Sequence, residues 1–220
     1  MKYREGEWSI NNSIEKVTAF ITQKRDGVNM LLVFRHPTAG VQIPAGSVEV
    51  GEDIETTAIR ETYEETGLQD VKIEKYLGCM ENELEQQQRI ITETTEVYIK
   101  PDLSAVPYKE KLTRGLTVDY HSTEQDFTHI SYIEYEFDEF HKPICIDYNI
   151  TGWVPNECLS NHKKRHFFHL STQEETEDAW ELMSDRGHIF KPYWTPLSPK
   201  PQIISPQDRW LDFVYEKLQR

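Results

Sequence analysis

The sequence is poor in cysteine, with three in 220 residues, Cys79, Cys145 and Cys158, widely separated and odd in number. That suits a reducing compartment better than a disulfide framework. Long apolar runs are missing too. No window approaches the roughly 20 apolar residues that a membrane span needs. The opening MKYREGEWSINNSIEK lacks the apolar core of a secretory signal, so a cytoplasmic protein off the membrane is expected. Basic residues are scarce: 24 Lys and Arg against 38 Asp and Glu leave a net charge of −14. This balance disfavours non-specific adhesion to nucleic acid or an anionic membrane. A phosphate-bearing ligand would need local cations or a metal to bind here.

What is present suffices for a core. Hydrophobic residues make up 37% of the chain and aromatics 11%, enough for one large domain or a medium domain with an appendage. Residues 16–24 and 30–35 are β-rich runs on either side of DGVN and read as a hairpin. VQIPAG is a short strand, and a helix is expected from Asp53 to Thr66, closed by Gly67. Strands are expected over 71–79, 89–100 and 165–171, and a loop-like polar stretch over 101–128. Residues 130–140 and 144–150 alternate with a period of two, which predicts a half-buried hairpin. In the tail, Ser205 is placed to cap a helix whose stripe is Trp210, Phe213, Val214 and Leu218.

The densest chemistry lies in GSVEVGEDIETTAIRETYEETGL, residues 46–68. At about 100° per residue, Glu61, Glu64 and Glu65 fall on one side of the helix. Like charges at these spacings repel, by about 0.2–0.5 kcal/mol per pair on an exposed helix. A solvated acidic face is the plain reading. A divalent cation reverses the arithmetic, because Mg²⁺ takes about six hard oxygen ligands from carboxylates, waters and substrate phosphates.

The order Gly46, five residues, Glu52, seven residues, then Arg60-Glu61-Thr62-Tyr63-Glu64-Glu65-Thr66-Gly67-Leu68 resembles the Nudix box, Gly-x5-Glu-x7-Arg-Glu-U-x-Glu-Glu-x-Gly-U, where U is a bulky aliphatic residue. Thr62 is the one departure. The resemblance implies an α/β fold, an α/β/α sandwich around a mixed sheet, over about 13–100 and 165–219. It implies Mg²⁺ or Mn²⁺ held by Glu61, Glu64, Glu65 and the Ala45 carbonyl. Arg60 would hold Glu61 or Glu52, and Gly46 would let the loop pass close to the metal. Glu61 and Glu64 are the candidate bases within the box. Some family members take the base from a loop after a late strand, where Glu174, Glu175 and Glu177 stand; Glu175 is the choice among them. Arg35, Glu52 and Gly46 are the expected substrate-side residues. The activity implied is hydrolysis of a phosphoanhydride in a nucleoside diphosphate-linked small molecule. A non-catalytic nucleotide sensor is the alternative, and an RNA 5′ end is the one nucleic acid that fits.

Other features have plainer readings beside the functional ones. Lys163, Lys164 and Arg165 would attract a polyanion or simply form a solvated turn. Trp153, Phe167, Phe168 and Trp194 are stacking rings or core. Cys145, Cys158, His162 and His166 are spaced more widely than a structural zinc site requires. Residues 1–220 read as a single domain with a β-rich insertion at about 101–164. That insertion carries Tyr132, Tyr135, Phe137, Phe140 and Trp153, as a substrate lid or a homodimer surface would.

Overall fold

The computed structural model describes residues 13–37, 39–137, 142–183 and 189–219. In chain order its strands begin with β1 (Ile14–Arg25), β2 (Val28–His36), β3 (Gly40–Gln42) and β4 (Ala45–Ser47). Helix α1 (Ile54–Thr66) and β5 (Val71–Glu83) follow. Next come β6 (Gln88–Ile91), β7 (Thr95–Tyr98), β8 (Pro107–Leu112) and β9 (Thr117–Glu124). They lead to β10 (Phe127–Phe137), β11 (Pro143–Pro155) and β12 (Leu159–Ser160). The chain closes with β13 (His162–Thr172), β14 (Leu182–Met183), β15 (Ile189–Pro196) and α2 (Gln207–Leu218). No described helix is long and apolar enough to cross a membrane.

Two compact units result. Lys16–Met80 and Arg165–Arg220 make up most of one, and Glu81–Glu136 with Pro143–Lys164 most of the other. The first is built on a sheet ordered β14-β15-β2-β1-β13-β5, with β3 on β2 and β4 on β1. The β1–β2 hairpin turns at Asp26 and Gly27, both at positive φ (48° and 82°), the conformation a two-residue Asp-Gly turn supplies. Its register pairs Arg25 with Val28 and Thr22 with Leu31. Strand β13 runs parallel to β1: Arg165 bonds to Val17 and Thr18, while His169 bonds to Thr22. Against β5 it is antiparallel, since His166 meets Tyr76 and Thr172 meets Asp70. The sheet is therefore mixed.

Alternation gives this sheet two apolar faces. Val17, Ala19, Ile21, Leu32, Phe168 and Leu170 pack with Ala58 of α1. Phe20, Leu31, Val33 and Phe167 pack with Leu211, Val214 and Leu218 of α2. Each fully buried side chain of this kind contributes about 1.5–3 kcal/mol. One helix covers each face, which is the expected α/β/α sandwich. The α2 stripe differs from the expectation. Gln207, Leu211, Val214 and Leu218 are buried, whereas Phe213 is exposed, and no side chain caps the helix, Ser205 included.

The second unit is a sheet ordered β12-β6-β9-β10-β11-β7-β8. Its core is Ile91, Val97, Leu112, Val118, Ile130, Ile150, Val154 and Leu159. The strand expected over 89–100 is two strands here, β6 and β7. The stretch read as loop-like contains β8 and β9, whose fully buried side chains are Leu112 and Val118 alone. Strands so polar carry almost no alternation to read. On β10 and β11, Ile133, Tyr135, Ile144 and Ile146 are exposed rather than half-buried. Phe140 and the side chain of Phe137 lie outside what is described.

Candidate active site

Helix α1 starts where Asp53 accepts the Thr56 N–H at 2.8 Å, a side-chain N-cap. It ends where Gly67, in the left-handed conformation, donates its N–H to the Tyr63 carbonyl at 2.8 Å. The face it buries is short on hydrocarbon: Thr57, Ala58, Glu61, Thr62 and Thr66. Thr62 Oγ1 donates to the Ala58 carbonyl at 2.7 Å, and Thr66 Oγ1 to the Thr62 carbonyl at 2.5 Å. Both hydroxyls are satisfied inside the helix. Thr62 therefore fills the slot of an aliphatic residue without stranding a polar group.

Arg60 organises the acidic face. Its Nε and Nη2 donate to the two Glu52 carboxylate oxygens, both at 2.9 Å. Nη1 donates to Glu61 Oε1 at 2.9 Å and Glu64 Oε2 at 3.0 Å, and Nη2 also to the Ser47 carbonyl at 3.1 Å. Planar, bidentate pairing of this kind is what guanidinium does and an ammonium cannot. Beside them, Glu65 Oε2 accepts the Ala45 N–H at 2.8 Å. Glu61 lies so close to Gly46 that a Cβ there would sit 1.8 Å from its Oε1. Residues 45–47, as β4, pair with β1 through Thr18–Ala45, Val17–Gly46 and Lys16–Ser47. Thus Ala45, Gly46, Glu52, Arg60, Glu61, Glu64 and Glu65 come together.

The charges respond to burial. Desolvation lifts the Glu61 carboxyl, against the pull of Arg60, and lifts Glu65 well above the ordinary carboxylate range, against the Ala45 N–H. The Arg60 hydrogen bond instead holds Glu52 down at about 2. A match to the model of the NUDIX domain runs over residues 14–130, more than half of the 220 residues. The chain belongs to the Nudix family. No curated protein matches it at a significant level. Among solved structures it is similar to the NUDIX domain of Shewanella oneidensis NrtR complexed with ADP ribose, at 10% identity and TM-score 0.45, over 94% of this chain and 88% of that one. It is also similar to the C. elegans Ap4A hydrolase, at 14% identity and TM-score 0.39, over 94% of this chain and 98% of that one. Neither likeness is close enough to bear on the site.

This Nudix site suits a hard dication by its donor chemistry. Three carboxylates and a backbone carbonyl are hard oxygen donors of the kind such a cation takes, and a cation would relieve the repulsion among carboxylates of which Glu61 is buried and Glu65 half-buried. Their side chains do not converge on one point here: among the described residues no group of three or more His, Cys, Asp or Glu is disposed to hold a metal. Arg60 Nη1 lies between Glu61 and Glu64. The Glu64 side chain, 39% exposed, is the least buried of the three.

Other expected residues are placed elsewhere. Arg35 is exposed, opposite Lys191 and Val41, and shares the α2 side of the sheet with Leu31 and Val33. Glu174 accepts the Gln69 and Asp70 N–H groups at 2.9 and 3.1 Å, past the end of α1. Glu175 and Glu177 are exposed on the same stretch, which Trp180 pins to α1 by donating its indole N–H to the Thr66 carbonyl at 2.7 Å. Lys164 pairs with Glu81 at 3.1 Å. Arg165 is not part of a solvated turn: it is half-buried, bonded to β1 and stacked on Trp210 at 3.8 Å. One signal for this was in the sequence. Arg165 opens the buried run RHFFHLS in the same alternation as Phe167.

Two expected results follow from this geometry. Gly46→Ala forces the Glu61 carboxylate out of its seat, because the new methyl and the carboxylate cannot share the space. The cost is that of the Arg60 hydrogen bond the displaced Glu61 gives up, about 1–3 kcal/mol, and turnover should fall with it. Urea unfolding and a rate assay on one preparation check both, and a variant equal to wild type in each would show that Glu61 is not wedged there. Glu52 supplies a pH dependence. Its pKa is lower folded than unfolded, so its contribution is full above the ordinary value of 4.5 and lost as pH falls towards about 2. After allowance for solvent screening this is roughly 1–3 kcal/mol. Unfolding free energies of wild type and Glu52→Gln should differ near neutral pH and converge in acid; a constant difference would contradict the ion pair.

Proposed function

We propose that this Nudix protein is a metal-dependent pyrophosphohydrolase that cleaves a phosphoanhydride in a small nucleoside diphosphate-linked substrate, acting in the cytoplasm. The observation that carries the reading is the junction of α1 and β4, where the box carboxylates close on Ala45 and Gly46. Glu61, Glu64, Glu65 and the Ala45 carbonyl are the residues that would hold Mg²⁺ or Mn²⁺, which neutralises phosphoanhydride oxygens and lowers the pKa of a bound water. Glu61, buried against Gly46, and Glu65, half-buried and held by the Ala45 N–H, are anchors. Glu64 is the most exposed of the three and is positioned by one hydrogen bond from Arg60, which suits a group that must take a proton from water. Glu175, on the exposed stretch after β13, is the other candidate base. Arg60 orients Glu61 and Glu64 and ties them to the Glu52 loop; Glu52 serves the loop rather than the substrate.

The test is a screen of nucleoside triphosphates, nucleotide-sugars, ADP-ribose, dinucleoside polyphosphates and capped RNA, with the nucleotide products separated by chromatography as readout. Cleavage is expected with Mg²⁺ or Mn²⁺ and none with chelator. If saturating metal supports no cleavage of any of them, the enzyme reading fails; nucleotide binding without cleavage would make the protein a sensor. A homodimer through the exposed Ile133, Tyr135, Ile144 and Ile146 is part of the same proposal. Sedimentation of an Ile144→Lys, Ile146→Lys variant checks it, and an unchanged oligomeric state would remove that surface from consideration.

A further inference from the structure

We infer that Arg165 is a positioning residue for the acidic site, its guanidinium fixing the part of β1 that seats β4 against Glu61 and Glu65. This rests on the reading of α1 and β4 as the metal site. Three constraints fix the Arg165 head. Its Nη1 donates to the Val17 carbonyl at 2.9 Å and to Thr18 Oγ1 at 3.0 Å, and its plane lies over the Trp210 ring, 3.8 Å from the centroid. Trp210 belongs to α2, so the helix on one face of the sheet sets the height of a cation at the head of β13.

From there the linkage is short. Val17 and Thr18, the two residues Arg165 grips, are the partners of Gly46 and Ala45 in the β1–β4 register. The next residue, Ala19, donates its N–H to the Pro44 carbonyl at 2.9 Å. Ala45 in turn donates to Glu65, and Gly46 is the wall against which Glu61 rests. A single strand therefore separates the guanidinium from the seats of two carboxylates. The charges register the same proximity: desolvation lowers the Arg165 pKa, and Glu61 and Glu65 are the groups that oppose it. Thr18 is fully buried, so its hydroxyl has little freedom to seek another donor.

A simple counter-charge would also explain a cation here, and lysine separates the two roles. Lysine keeps the charge but has no planar head to rest on the indole while one nitrogen reaches both acceptors. Arg165→Lys is expected to bind Mn²⁺ roughly 10-fold more weakly, with half-saturating Mg²⁺ for turnover raised by a similar factor, as is usual for residues that support metal ligands. Amide exchange at Ala45 and Gly46 should quicken in the same variant. Thr18→Val, nearly isosteric, should shift all three readouts in the same direction by less, and should add little to Arg165→Lys because both break one link. Wild-type Mn²⁺ affinity, Mg²⁺ half-saturation and exchange in Arg165→Lys would overturn the proposal. Should that variant not fold, wild-type behaviour of Thr18→Val would overturn it instead. Failure of wild-type protein itself to bind Mn²⁺ counts against the metal site, while exchange at Ala45 and Gly46 still reads the Arg165 link.

Discussion

Glu64→Gln is expected to lower turnover by about 10²–10⁴-fold, the usual worth of a positioned proton acceptor, with little change in stability. The two halves of that expectation come from one fact. The Glu64 side chain is 39% exposed and bonded to Arg60 alone among the contacts of the acidic face. Removing its charge leaves no buried partner stranded, so the unfolding free energy should stay within roughly 0.5 kcal/mol. Steady-state formation of the nucleotide product with saturating Mg²⁺ gives the rate, and urea unfolding gives the stability. A variant with wild-type turnover would remove Glu64 from the chemistry and leave Glu61 or Glu175 as the base. A variant that is slow and also unstable would mean that Glu64 is structural.

The largest effect on stability is expected at the neighbouring cation. Arg60→Met removes the donors of Glu52 and Glu61, whose side chains are only 12% and 11% exposed. Taking away one member of a buried ion pair costs roughly 3–5 kcal/mol, because the other charge is left without a partner. Arg60 itself is 24% exposed, which places the expectation at the lower end, about 3 kcal/mol. Arg60→Lys should recover only part of this, since a point charge cannot grip both Glu52 oxygens and the Ser47 carbonyl together. The shift in urea midpoint at constant slope measures it. A midpoint within experimental scatter of wild type would mean that the carboxylates are held by the backbone alone.

The box helix was legible in the sequence because its chemistry fixes residue identity at fixed spacing. In the structure Arg60 binds Glu52, Glu61 and Glu64, and Glu65 stands beside them on the Ala45 N–H. The sandwich followed from the family resemblance, and β1, β2 and β13 fit it as near-continuous apolar runs buried on both faces. Legibility fails where burial is sparse. Strands β8 and β9 each hide one fully buried side chain, and a polar strand with one anchor has the composition of a loop. The α2 stripe was misjudged by one position, with Phe213 exchanged for Leu211, because several phases of an aromatic-rich helix look apolar. Arg165 was hidden for another reason. A cation inside a fold is visible only through its acceptors, and the Val17 carbonyl and Thr18 hydroxyl lie 148 and 147 residues away in the chain.

The clasp between Arg60, Ser47 and Glu52 has a mechanical corollary. The peptide from 47 to 60 is closed into a ring by non-covalent bonds, and Val50 within it is 85% exposed. A protease that nicks the chain there opens a loop whose ends remain tethered to the same guanidinium, so the two fragments should travel together until denaturant releases them.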